Sequence, residues 1–215
     1  MPDACFIQVG TGGWNAALDV AEPHHAAYCA QHGMEWRPVR ELLQTERHPI
    51  WCKVWAIRQA LAEGFPWVFC LDGDALVVDT ATDLRSALTY GDLGLSWHVL
   101  SWMPLNLNTG VSYVRNTPRM REFYERVAAF PHVADWDASP HPLGARDGEQ
   151  HSVVRVLQET GFDALQILHQ RWNYLEGAMP PCQPVVKAWH GVGGICDRKA
   201  AMAAELERMK CRPPL

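Results

Sequence analysis

Residues 67–71, Trp-Val-Phe-Cys-Leu, are an unbroken apolar run bounded by Gly64 and Pro66 before and Gly73 after. So short a run without alternation predicts a strand covered on both faces. The run exits into Asp72-Gly73-Asp74. Residues 6–9 predict an earlier strand, followed by the loop Gly10-Thr11-Gly12-Gly13, and residues 35–39 a short second one. Residues 111–115 alternate as a half-buried strand does, and residues 165–168 and 185–189 add two more.

Between the strands the period changes. Residues 23–31 carry small and aromatic residues at helical spacing, with Pro23 in the first turn and Gly33 as the stop. The clearest helix is 48–63, where Trp51, Val54, Trp55, Ile57 and Leu61 form one stripe ending at Gly64. A short helix is expected at 82–88. Thr117-Pro118 opens another with Met120, Phe123, Tyr124, Val127 and Phe130 inward, and Asp147-x-x-Gln150 has the spacing of a capping box before a helix running to Gly161. Residues 197–209 close as an amphipathic helix, while residues 131–144 are irregular and suit a surface loop. Strands alternating with helices predict an α/β fold whose mostly parallel central sheet is flanked by helices. At 215 residues one domain is the expectation, residues 1–100 forming one half and 101–215 the other.

Composition narrows the function classes. A net charge of −5 with no block of Lys or Arg argues against a nucleic-acid partner. No apolar stretch approaches a membrane span and the start is too short and acidic for a signal peptide, so a cytoplasmic protein is expected. Seven cysteines without a Cys-x-x-Cys pair read as reduced core thiols rather than a zinc site. Ten tryptophans are many for this length; most suit a core, and an excess also suits sugar-stacking surfaces, since an indole face covers the C–H face of a pyranose.

The chemistry begins with Asp72 and Asp74. In open α/β sheets ligands sit at the carboxyl ends of the strands, and two hard carboxylates there suit Mg²⁺ or Mn²⁺ on a phosphate-bearing ligand; an Asp-Gly turn capping backbone amides is the alternative. Val9, Gly10 and Thr11 end the first strand where a base or ribose can rest, or form a plain tight turn. Lys53 or Arg58 can look over the sheet edge toward an anion, or lie on a solvated helix face. Asn106 to Gly110 reads as a turn, with a pocket wall for sugar hydroxyls as the alternative. The capping box accounts for Asp147 and Gln150 but leaves Glu149 free to face a ligand. His190, at a strand end before three glycines in four residues, is either a ligand or a satisfied structural histidine.

In order, the Gly10 loop, Lys53, Leu71-Asp72-Gly73-Asp74-Ala75, Asn108-Thr109-Gly110-Val111, Glu149-Gln150, Trp172-Asn173 and His190-Gly191 resemble the GT-A nucleotide-sugar glycosyltransferases. Within them the chain is most similar to the group of fungal galactosyl- and mannosyltransferases and plant xyloglucan xylosyltransferases. The resemblance implies a Rossmann-like GT-A domain that moves a hexose or pentose from a UDP- or GDP-sugar, UDP favoured, to a hydroxyl acceptor such as a glycan. It implies Asp72 and Asp74 on the ribose and a Mn²⁺ or Mg²⁺ ion, with His190 as a further metal ligand. Lys53, Gly73, Asn108, Thr109 and Gln150 are implied around the donor and acceptor sugars, with Asp147 or Glu149 as base if the reaction inverts. The likeness favours retention. Two departures stand out: Glu149-Gln150 replaces the family's Asp-Gln, and the family's membrane anchor is absent from this sequence. A sugar nucleotidyltransferase and a non-catalytic carbohydrate-binding module are the competing classes; the first would need a basic residue in the Gly10 loop.

Overall fold

In the computed structural model, residues 2–44, 47–100, 103–130, 148–175, 182–189 and 193–210 are described. Strand β1 (Ala4–Val9) leads through a 3-10 turn into helix α1 (Asn15–His32), β2 (Met34–Val39) and α2 (Cys52–Ala62). Strand β3 (Trp67–Asp72) follows, then β4 (Ala75–Val77), β5 (Leu93–Leu100) and β6 (Met103–Arg115). Helices α3 (Pro118–Ala129) and α4 (Glu149–Thr160), strands β7 (Leu165–Leu168), β8 (Tyr174–Leu175) and β9 (Val186–Ala188), and helix α5 (Ile195–Lys210) complete the order.

The main sheet runs β2-β1-β3-β6-β5-β7, with β1 parallel to β2 and β3, β5 parallel to β7, and β6 antiparallel to both its neighbours. The mostly parallel expectation therefore holds, with one reversed strand in the middle. A second sheet, β4-β9-β8, begins directly after the Asp72-Gly73-Asp74 turn. Its strand β9, expected from residues 185–189, thus lies outside the main sheet.

Alternation along β1 and β3 divides the core. Cys5, Ile7, Val68 and Cys70 face α2, α3 and α4, while Phe6, Phe69 and Leu71 face the α1 side and the small sheet. By the same period Asp72 exits on the α2 face and Gln8 on the α1 face. Helix α3 forms as its sequence predicts, with Thr117 capping the Met120 amide and Met120, Phe123, Tyr124 and Val127 buried. Cys5, Cys29, Cys52 and Cys70 are buried free thiols, as expected; Cys211 lies outside the described residues. Among the described residues no helix is long and apolar enough to cross a membrane.

Three local expectations change. Helix α1 starts at Asn15, which places Pro23 inside it rather than in its first turn. The proline lies on the exposed face, where water can satisfy the carbonyl it cannot pair, while Ala17, Leu18, Ala21, His25, Tyr28 and Cys29 anchor both halves. Residues 82–88 yield only a 3-10 turn, Leu84–Ala87. Asn108-Thr109-Gly110 is no chain reversal: it lies within β6, but where the ladder fails. One step along β5, from Leu95 to Ser96, matches four along β6, from Ser112 to Asn108, so the segment between bulges from that edge.

Candidate active site

A cleft of about 190 Å³ opens where β1 and β3 end, lined by Val9, Gly10, Thr11, Lys53, Asp72, Gly73 and Asp74. These residues, separated in sequence, converge because β1 and β3 are parallel neighbours in register, Val9 beside Asp72. Two glycines make the floor. A side chain at Gly10 would meet Leu18 and the Trp14 carbonyl within 2.8 Å, and one at Gly73 would press on the Val9 carbonyl at 3.0 Å. Backbone packs on backbone there, keeping the strand ends open to a ligand.

Asp72 meets Lys53 because both occupy the α2 face of the sheet. The Lys53 ammonium lies 2.8 Å from Asp72 Oδ1 and 2.6 Å from Glu149 Oε1, and it donates to the Thr109 carbonyl at 3.4 Å. Burial alone would push that ammonium's pKa down, but the two carboxylates overcome this and raise it. Desolvation raises the Asp72 carboxyl; Lys53 opposes the rise, and the charges of Asp74 and Glu149 add to it. Glu149, the first residue of α4, is buried where a carboxylate also favours the helix N-terminus, and it accepts the Thr109 hydroxyl at 2.6 Å. Its Oε2 is buried without a hydrogen bond. Gln150 Oε1 accepts from the Thr109 amide at 3.2 Å and so cross-links α4 to the β6 bulge; the Asp147 half of the expected capping box lies outside the described residues. Asn108 Oδ1 takes the Gly110 amide and the Asn173 side chain, each at 2.8 Å. A side chain at Gly110 would approach Asp72 Oδ2 to 2.8 Å, which accounts for glycine there.

Asp74 has different company. Its side chain is 5% exposed, and its Oδ2 accepts from Arg198 of α5 at 2.7 Å. The Arg198 guanidinium also lies over the Trp14 ring, 4.9 Å from its centre. Trp14, Arg198 and the turn His48-Pro49-Ile50 line the cleft and were not foreseen among its residues. A Trp before a helix and an Arg inside an amphipathic one carry no local signal; only an excess of tryptophans hinted at the former. Arg58 pairs with Glu125 and stacks on Trp55, on the solvated face given as its alternative. Asp147 and His190 lie outside the described residues.

Residues 10–93 match the galactosyl transferase GMA12/MNN10 family. Among solved structures, a glycosyltransferase involved in the glycosylation of the major capsid of PBCV-1 superposes with a TM-score of 0.71 at 20% identity, over 93% of this chain and 99% of that one. The chain has the GT-A fold. Two further solved structures share the fold: the glycosyltransferase GlyE of Streptococcus pneumoniae TIGR4, TM-score 0.54 at 11% identity over 98% of this chain and 66% of that one, and mouse xyloside xylosyltransferase 1, TM-score 0.50 at 10% identity over 87% and 98%. By sequence, a probable glycosyltransferase 6 of Oryza sativa subsp. indica is 29% identical over 150 residues, 61% of this chain. The chain spans 31% of the length of that relative. The matched family segment, 10–93, carries the Gly10 loop, Lys53 and Asp72 to Asp74 on the GT-A cleft wall.

Proposed function

We propose that this GT-A protein transfers a hexose or pentose from a nucleotide sugar, a UDP-sugar favoured, to a hydroxyl acceptor such as a glycan. The observation that carries the reading is the convergence of the Gly10 loop, Lys53 and both acids of Asp72-Gly73-Asp74 on one cleft at the ends of two parallel strands.

The donor set suits a hard divalent ion. Each acid has one oxygen engaged by a cation, Asp72 Oδ1 by Lys53 and Asp74 Oδ2 by Arg198, and three carboxylates, with Glu149, stand against those two cations. Asp72 and Asp74 would hold Mn²⁺ or Mg²⁺, with His190 as the third ligand the family resemblance implies; among the described residues no group of three ligating side chains is assembled. Bound there, the ion supplies a Lewis acid for the departing nucleoside diphosphate.

The chain's own residues do the rest. Lys53, locked between Asp72 and Glu149, orients the Asp72 carboxylate. Arg198 offers a cleft-facing guanidinium for phosphate oxygens. Trp14 and Ile50 give the cleft apolar walls that suit a flat base or a sugar face. Glu149 is buried and held by Lys53 and Thr109, which supports a retaining reaction over one that uses this carboxylate as base.

The test is thermal denaturation with UDP or GDP, each with and without Mn²⁺. A nucleoside diphosphate at a hundred times its Kd adds about 2.7 kcal/mol, or roughly 5–10 °C in Tm for a chain of this size. The expected result is such a rise with UDP only when Mn²⁺ is present; no rise with either nucleotide and metal overturns the proposal. Metal-dependent release of sugar from a panel of nucleotide sugars then identifies the donor.

A further inference from the structure

Behind the acid-bearing turn, on the face opposite Lys53, lies a polar chain that no ligand reaches. Gln8 and His25 are both fully buried. Gln8, one residue before the end of β1, extends its amide nitrogen to three carbonyls of the turn: Asp72 at 3.1 Å, Gly73 at 3.4 Å and Ala75 at 2.8 Å. These carbonyls lie where the chain leaves the main sheet for the second one, at the point where ladder pairing changes hands. Buried carbonyls without donors are costly, so the two hydrogens of the amide, shared among the three oxygens, both serve them and fix their spacing.

The direction of the chain is set from its far end. The Val77 amide donates to His25 Nε2 at 3.0 Å, so that nitrogen is the unprotonated one. His25 Nδ1 then carries the hydrogen and donates to Gln8 Oε1 at 2.8 Å, which turns the Gln8 NH₂ toward the turn. Burial holds the imidazole neutral, lowering its pKa well below 6.5, and Phe6 and Trp36 close around the ring. His24, next along α1, donates from Nε2 to the Val77 carbonyl at 2.6 Å. Both backbone polar groups of Val77 in β4 are thus tied to α1, and the start of the turn to β1. A residue whose only task was to fill this space would be apolar, as its β1 neighbours Phe6 and Ile7 are.

We propose that Gln8, oriented by His25, is a positioning residue that holds the two carboxylates of Asp72-Gly73-Asp74 at the spacing a divalent ion and a nucleoside diphosphate require. The ligand half of this inference rests on the transferase reading above, and the backbone half does not.

Two variants, Gln8→Met and His25→Gln, are compared with Phe123→Leu, a core change in α3 remote from the turn. In ligand-free protein, amide hydrogen exchange across residues 72–77 should quicken at least tenfold in Gln8→Met relative to that control, beyond what its loss of global stability accounts for, and less in His25→Gln. The affinity for UDP with Mn²⁺, read by calorimetry well below every Tm, should fall at least tenfold in Gln8→Met and stay within twofold in Phe123→Leu. Exchange and affinity that follow global stability alike in all three variants overturn the inference. If Gln8→Met does not fold, His25→Gln decides by the same two readouts. If wild-type protein binds no nucleoside diphosphate with metal, the transferase reading falls, and the exchange comparison still decides whether Gln8 holds the turn.

Discussion

Asp72 and Asp74 stand one residue apart, yet they belong to different regions. Asp72 ends a central strand and is met by Lys53 and, through it, Glu149, groups carried by helices α2 and α4 and nearly closed to solvent. Asp74 has already crossed to the second sheet; its carbonyl accepts the Trp189 amide and its carboxylate a cation from the last helix. The first environment is part of the main core. The second is made when the C-terminal segment docks. An acid pair can thus be tied to the main core on one side and to the last helix on the other.

The largest test of this contrast is Lys53→Met. It leaves Asp72 and Glu149 facing each other with Glu149 buried, and losing one partner of a buried pair costs about 3–5 kcal/mol. The expected fall in Tm is roughly 6–20 °C, read by calorimetry. A fall as small as that of a surface substitution would show that the main core does not depend on this pair.

An intermediate effect comes from the histidines behind the turn. His25 is neutral when folded because burial and His24 lower its pKa well below the ordinary 6.5, whereas the unfolded chain takes up a proton near that value. Below about pH 6.5 the unfolded state therefore binds more protons, and stability falls as pH falls, by up to about 1.4 kcal/mol per pH unit for this group. His24, also lowered by burial, adds to the slope. His25→Gln should flatten the decline of chemical-denaturation stability between pH 6.5 and 5.5; an unchanged slope would show that the acid side of the curve belongs to other groups.

The other region is tested by Arg198→Ala. Asp74 is 5% exposed and Arg198 15%, so the change leaves a carboxylate largely buried beside an opening that admits water, and about 1–3 kcal/mol of stability is expected to go. Affinity for UDP with Mn²⁺ should move more than stability does. A Tm loss matching that of Lys53→Met would erase the distinction between the two regions.

Much of the wall around Asp72 was legible in the chain because its cues are local. An apolar run ending in acids, a glycine loop after a strand and a helical stripe each carry their own period. The Asp74 side was not: Arg198 lies 124 positions away and sits in a helix whose pattern explains it as an ordinary solvated residue. Gln8 was hidden for the same reason, 64 positions from the carbonyl it serves and lodged in a strand that reads as apolar. Asn108-Thr109-Gly110 shows a subtler failure. Its composition signals a chain leaving regular pairing, and it does leave the β5 ladder, but turn chemistry cannot by itself distinguish a reversal from a bulge.

That bulge also works as an expansion joint. On its other edge β6 keeps register with β3 up to Leu71 opposite Val111, while toward β5 the mismatch is absorbed within a few residues. The β5 register is therefore not imposed on Thr109 and Gly110, whose place beside Asp72 is set by the β3 pairing that ends at Val111 and by Glu149 and Gln150 of α4.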